Sequence, residues 1–216
     1  MKKYAVIGLG RFGLQVAKRL YEYGEDVLAI DRHEDLINTV ADHVSRAVVA
    51  DAKNKETLKS LGVAMCDCVI VALGSDFASS VLVTMNLKSL GVRQIICKAQ
   101  DDTHREILEK IGADKVIIPE REMADKIARL LSSPNILEYI ELSSDHGIVE
   151  FKTPSSWIGK SLRELNIRQK FGVNVISVKH GDDVIYSFDA DFVFPDPSSV
   201  VLLGNDKALE KIEKTK

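Results

Sequence analysis

Two rhythms of apolar and polar positions share the first part of the chain. Short, dense apolar runs occur at Tyr4–Ile7, Val27–Ile30, Ala47–Val49, Cys68–Leu73, Gln94–Cys97 and Lys115–Ile118. Runs of this length and density predict strands buried on both faces. Between them lie stretches with helical spacing: Phe12–Tyr23, Glu34–Val40, Asn54–Leu61, Phe77–Leu90, a segment capped by Asp101 or Asp102 and ending near Gly112, and Glu120–Leu131. Strand and helix alternate throughout, which predicts an α/β fold, a doubly wound parallel sheet of Rossmann type.

The rhythm changes around Ser132–Asn135. Beyond it, Ile136–Leu142, Ile148–Phe151, Phe171–Lys179, Val184–Ser187 and Val200–Leu203 read as strands. Gly181–Asp183 reads as a hairpin turn. Leu162, Leu165 and Ile167 mark a short helix, and Asp206–Ile212 a terminal one. We therefore expect a nucleotide-binding lobe over 1–133, crossover helix included, and a smaller α+β lobe over 134–216.

The first strand runs straight into Gly8, Gly10 and Gly13, a G-x-G-x-x-G spacing with Arg11 and Phe12 inside it. Gly8 suits a tight turn. Gly10 leaves room for a pyrophosphate, and Gly13 lets the helix approach the sheet. The backbone N–H groups that open the helix then face the phosphates. The second strand closes on Asp31, followed by Arg32. An acid at that place accepts hydrogen bonds from a ribose diol and disfavours a 2′-phosphate, as in NADP. Arg11 reads either as a phosphate contact or as a solvated surface residue.

Ligands on such sheets sit outside the carboxyl ends of the strands. That adds Asp51, Ala52, Gly74, Ser75, Asp76 and Lys98 as candidates. Asp51 and Ala52 either flank an adenine or cap the next helix. Ser75 either touches ribose or phosphate or caps the long helix after it. Lys98 reads as a phosphate contact, an interface contact or a solvated lysine. Glu120, just past a strand end, is a candidate cation ligand, although helix starts favour acids in any case.

Composition narrows the function. The formal net charge of −3 offers no general polyanion-binding surface, so no nucleic-acid partner is expected. No apolar run approaches the length of a membrane span, and the chain enters a strand almost at once, so we expect a cytoplasmic protein without membrane insertion. Cys66, Cys68 and Cys97 are an odd set within apolar surroundings and read as buried free thiols. His33, His43, His104, His146 and His180 form no evident acid–base couple, and neither a nucleophile elbow nor a G-K-[ST] phosphate loop is present. A nucleotide sensor fits better than an enzyme. The alternatives are a small NAD-dependent oxidoreductase and a stand-alone nucleotide or redox sensor.

Several stretches together resemble one family. They are AVIGLGRFG at Ala5–Gly13, VLAID at Val27–Asp31, VVADA at Val48–Ala52, VIVALG at Val69–Gly74, CKAQD at Cys97–Asp101 and the long block Leu108–Ala128, joined to LRELNIR at Leu162–Arg168. The chain resembles, over essentially its whole length, the RCK (regulator of potassium conductance) subunits of bacterial Ktr and Trk potassium uptake systems. One nucleotide lobe with one C-lobe matches the Ktr type better. The resemblance implies a homodimer that assembles into an octameric ring, peripheral on the inner face of the cell membrane and docked on a potassium-transporter subunit. It implies control by ATP and ADP, with NAD or NADH in some relatives. It gives Arg11 the terminal phosphate, Asp31 the ribose, and Glu120 a divalent cation or Na+ between subunits. Some relatives bind cyclic di-AMP in the C-lobe, where Leu165, Asn166, Ile167, Arg168 and Asn174 are the comparable residues. A packed dimer interface would account for the same apolar positions.

Overall fold

The computed structural model describes residues 1–74, 76–143 and 145–213. Contacts divide it into two compact units, Met1–Glu120 and Arg121–Lys216.

In the first unit the elements alternate as the apolar runs require. They are β1 (Lys3–Ile7), α1 (Arg11–Glu22), β2 (Asp26–Asp31), α2 (Glu34–Val40), β3 (Arg46–Val49), α3 (Lys55–Ser60), β4 (Cys68–Val71), α4 (Phe77–Ser89), β5 (Ile95–Lys98), α5 (Asp102–Lys110) and β6 (Lys115–Ile117). The sheet order is β3-β2-β1-β4-β5-β6, every pair parallel. The chain reverses direction across the sheet between β1 and β4, where this topology opens a crevice. Side chains alternate between the two faces. Ala5, Ile7, Val69, Val71, Ile95 and Cys97 enter one core; Val6, Val27, Ala29, Cys68 and Ile70 enter the other.

Helix α6 (Pro119–Ser132) starts at the end of the first unit, and most of it belongs to the second. This differs from the expected boundary near 133. Glu120 is tied to the first unit by Lys98, whereas further along the helix Lys126 pairs with Glu138 of the second sheet at 2.7 Å.

The second unit holds β7 (Ile136–Ser143), β8 (His146–Lys152), the short helices α7 (Leu162–Leu165) and α8 (Ile167–Phe171), then β9 (Asn174–His180), β10 (Asp183–Ile185), β11 (Ser199–Asn205) and α9 (Asp206–Glu213). Its antiparallel sheet runs β10-β9-β11-β8-β7. One face packs on Phe151, Trp157, Phe194, Leu202, Leu209 and Ile212. Phe171 is not in the expected strand. It closes α8, and Gly172 at φ 74° turns the chain into β9. The single short helix expected here is two, broken at Asn166, which adopts a left-handed φ of 47°.

Candidate functional site

The three glycines of the first loop answer to different demands. Gly8 has φ +92°, and a Cβ there would fall 2.8 Å from Leu73 and 3.1 Å from the Ala72 backbone. A Cβ on Gly13 would stand 1.9 Å from the Gly8 carbonyl oxygen. Both are glycines because the protein's own chain leaves no room. A Cβ on Gly10 would meet nothing within 4 Å, and its φ of −60° suits any residue. Nothing in the chain itself requires glycine at Gly10. A bare backbone facing open space, at the start of a helix, is the geometry that admits a phosphate.

Helix α1 keeps its N-terminus open. Gly10 offers no capping side chain, and its first turn carries no acid. The contrast is with α3, capped by Asn54, α4, capped by Asp76, and α5, capped by Asp101. The positive end of the α1 dipole is therefore not neutralised from within α1.

Asp31 ends β2 almost fully buried. Its Oδ2 accepts the Leu9 N–H at 2.7 Å, and its Oδ1 accepts the His33 N–H at 2.9 Å, with His33 Nδ1 at 3.0 Å. The acid thus braces the glycine loop before any ligand arrives. That bracing role was not legible in sequence, because the partner is a backbone N–H of the loop.

Around these residues lies a cavity of about 200 Å³. Gly8, Gly10, Asp31 and Arg32 come from the first βαβ turn. Asp51, Ala52 and Lys53 follow β3, and Ala72, Leu73, Asp76 and Ser79 follow β4. The lining mixes apolar side chains (Ile7, Ile30, Leu73) with polar ones (Asp31, Asp51, Ser79). Asp51 does not cap α3, as one reading of the sequence had it; Asn54 does, accepting from Glu56 and Thr57. Asp51 instead accepts from the Lys53 N–H at 3.0 Å on the cavity wall. Asp76 caps α4 through Ser79, whose hydroxyl and backbone hold its carboxyl below the usual range. Ser75 lies outside the described residues. Lys53 and Ser79 were not anticipated; each follows a named strand-end residue by two or three positions.

Arg11, Phe12, Gly13, Gly74, Lys98 and Glu120 do not line that cavity. Lys98 Nζ lies 2.5 Å from Glu120 Oε1 and 5.8 Å from the centre of the Phe12 ring. Its stem passes over Gly74, where a Cβ would be 3.3–3.5 Å from the lysine carbons. The Lys98 hydrogen bond holds the Glu120 carboxyl below the usual range, and the Arg11 charge acts in the same direction. Lys98 and Glu120, separate candidates along the chain, become partners through the fold. Among the described residues no group of three or more acidic, His or Cys side chains is placed to hold a metal.

The three cysteines are free and buried, and burial pushes the Cys68 and Cys97 thiols up to about 11. They are packing residues. No helix among the described residues is long and apolar enough to cross a membrane.

In the second unit, Asn166, Ile167, Arg168 and Asn174 line one shallow concavity of about 320 Å³ with Phe188 and Asp189. Leu165 does not join them; it is buried in the core of that unit.

Comparison with known proteins bears on this geometry. Residues 4–119 match the TrkA-N domain and residues 147–216 the TrkA-C domain. The chain is 43% identical to Ktr system potassium uptake protein C of Bacillus subtilis (strain 168), over 99% of this chain and 96% of that one. It is 40% identical to Ktr system potassium uptake protein A of the same organism, over 98% and 96%. Among solved structures, the GsuK channel bound to NAD superposes with a TM-score of 0.67 at 20% identity over 98% of this chain. This chain spans only 39% of that channel's length. The GsuK structure bound to ADP gives 0.53 at 27% identity, over 60% of this chain and 34% of the other. On these matches the chain belongs to the Ktr family of potassium uptake proteins, as an RCK-type subunit with a TrkA-N and a TrkA-C domain.

Proposed function

We propose that this chain is a nucleotide-sensing regulatory subunit of a potassium uptake system, binding ATP and ADP at the first glycine loop. Like its Ktr relatives, it serves transport and is not an enzyme. The observation that carries the nucleotide reading is Gly10. It is a glycine that the protein's own packing does not need, set over the open α1 N-terminus and beside the Asp31 cavity. Adenine enters the cavity beside Ala52 and Leu73. The ribose diol donates to the lone pairs of Asp31 that Leu9 and His33 leave free, and the phosphates run along Gly10. Binding of NAD or NADH is the finer alternative, since it presents the same adenosine half.

Arg11 is exposed on the first turn of α1 and acts electrostatically on Glu120. In this reading it meets the terminal phosphate that separates ATP from ADP. Glu120, with Lys98, faces the same region and contributes to a cation site completed by a second subunit. The subunits form dimers that build an octameric ring on the inner face of the membrane, docked on the transporter subunit. Repeating one small energy difference around a ring is what lets a phosphate shift the whole assembly. The concavity at Asn166, Ile167, Arg168 and Asn174 supports cyclic di-AMP as a second ligand, with Arg168 available to its phosphates.

Asp31→Ala tests the site. Calorimetric titration is expected to show every ribose-bearing ligand weakened together. Unchanged ATP and NAD affinity in a folded variant would remove the assignment.

A further inference from the structure

His104 is the one fully buried histidine among the described residues, and it touches neither the cavity nor solvent. It sits in the first turn of α5, at 2% exposure. Its Nδ1 accepts the Gln100 backbone N–H at 3.3 Å. An acceptor there must be unprotonated, so the proton of the neutral ring is on Nε2, which donates to Ser80 Oγ at 3.3 Å. The ring also packs on Phe77 at 4.8 Å between centroids. Ser80 itself is completely buried.

These partners belong to the start of α4, which borders the cavity, and to the turn after β5, which does not line it. Gln100 lies in the turn after β5, two residues beyond Lys98. Phe77 and Ser80 open α4, beside Asp76 and Ser79 of the cavity wall. One imidazole therefore ties the first turn of α4, at the cavity wall, to the turn after β5. We propose that His104 is a positioning residue for the nucleotide site: neutral, it pins these two segments together, and protonated, it releases them and weakens nucleotide binding. The proposal rests on the nucleotide reading given above for the ligand, and on this geometry alone for the coupling of the segments.

The charged form has no place in this arrangement. An imidazolium carries N–H on both nitrogens, and Nδ1–H would then oppose the Gln100 N–H. Burial disfavours the charge and pulls the His104 titration below its usual range, while Asp101, the cap of the same helix, pulls weakly the other way. From α4 the groups facing the ring are Ser80 and Phe77, both uncharged. Asp101 is accordingly the charge that acts on it.

The test uses the full chain and two variants. His104→Asn keeps an acceptor for Gln100 and cannot titrate; His104→Gln keeps a donor for Ser80 and serves if the first fails to fold. ATP affinity is measured from about pH 8 to about pH 4.5, through the ordinary histidine range and below it, with amide resonances of Gln100 and of 77–80 followed in the same samples. Wild type is expected to lose about fivefold or more in affinity, the low end of ordinary site coupling, beyond the loss in the variant. The titration of ATP itself is common to both proteins and cancels. The Gln100 amide should shift along the same curve in wild type alone. Parallel affinity losses in wild type and variant, or a Gln100 amide that stays still, would overturn the proposal. If wild type binds no nucleotide at any pH, the nucleotide reading fails on its own; the amide curve without ligand then decides whether His104 couples the segments.

Discussion

The two units of this chain solve the burial of a sheet in opposite ways. In the first, β4 is buried at every position, and helices cover both faces. In the second, β8 alternates buried residues with half-buried ones and is exposed only at its ends, and β7 carries Ile140 and Leu142 at 53% and 55% exposure. A parallel sheet needs crossovers, and the crossovers that hide its faces also gather all its carboxyl ends on one side. The site of the first unit is thus a by-product of its topology. An antiparallel sheet with short connections creates no such common edge. The concavity at Asn166 and Arg168 depends on a kinked helix pair, and the second unit's exposed apolar strand leaves surface for another chain.

In the first unit the glycines of the loop divide packing from ligand binding. Gly13→Ala should be the most damaging change, because the added carbon overlaps the Gly8 carbonyl oxygen and backbone must move. We expect a loss of about 3 kcal/mol or more in the first unit. Gly10→Ala should leave the thermal midpoint nearly unmoved and reduce ATP affinity instead. Equal stability loss in both variants would contradict the division of roles within the loop.

Phe194→Ala breaks the other side. Phe194 is buried at 1% exposure against Trp157 and Phe192. Its loss should cost the second unit about 3–5 kcal/mol while ATP titration of the first unit is retained. Loss of nucleotide binding together with that core would show that the two units do not fold separately.

Arg11→Ala should be silent in stability. It should narrow the gap between ATP and ADP affinity by about tenfold at most, the scale of one exposed charge-assisted contact. Calorimetry with both ligands reads it, and an equal loss for each would end its role as the phosphate sensor.

The smallest effect is on stability against pH. The folded-state titration of His104 lies below its unfolded value of about 6.5. The unfolded chain therefore binds the proton first as pH falls. Stability is full above that value, declines through the window between the two values, and levels off below the folded one. Denaturant unfolding of wild type should show this decline, and His104→Asn should lose it.

The parallel sheet could be read from the chain because its signals are local: dense apolar runs, glycines at fixed spacing, an acid at a strand end. Helix starts were less legible, since Asn54 and Asp76 each stand near a second plausible cap. Asp31 was found, but not its grip on Leu9, which exists only once the loop closes. Lys98 and Glu120 lie 22 residues apart and become an ion pair only through the fold. In the second unit the strand expected from Phe171 missed the left-handed turn at Gly172, and the break at Asn166 has no glycine to announce it. Alternation predicts a half-buried strand well, but it does not say where a short helix gives way to one.

A competition titration of the purified chain with ATP, ADP, NADH and NAD, with particle mass read by light scattering in the same samples, decides whether this is a ring subunit that reads ATP against ADP. Preference for ATP and ADP in a particle near eight subunits is the expected result. Preference for NADH in a monomer or dimer would contradict it.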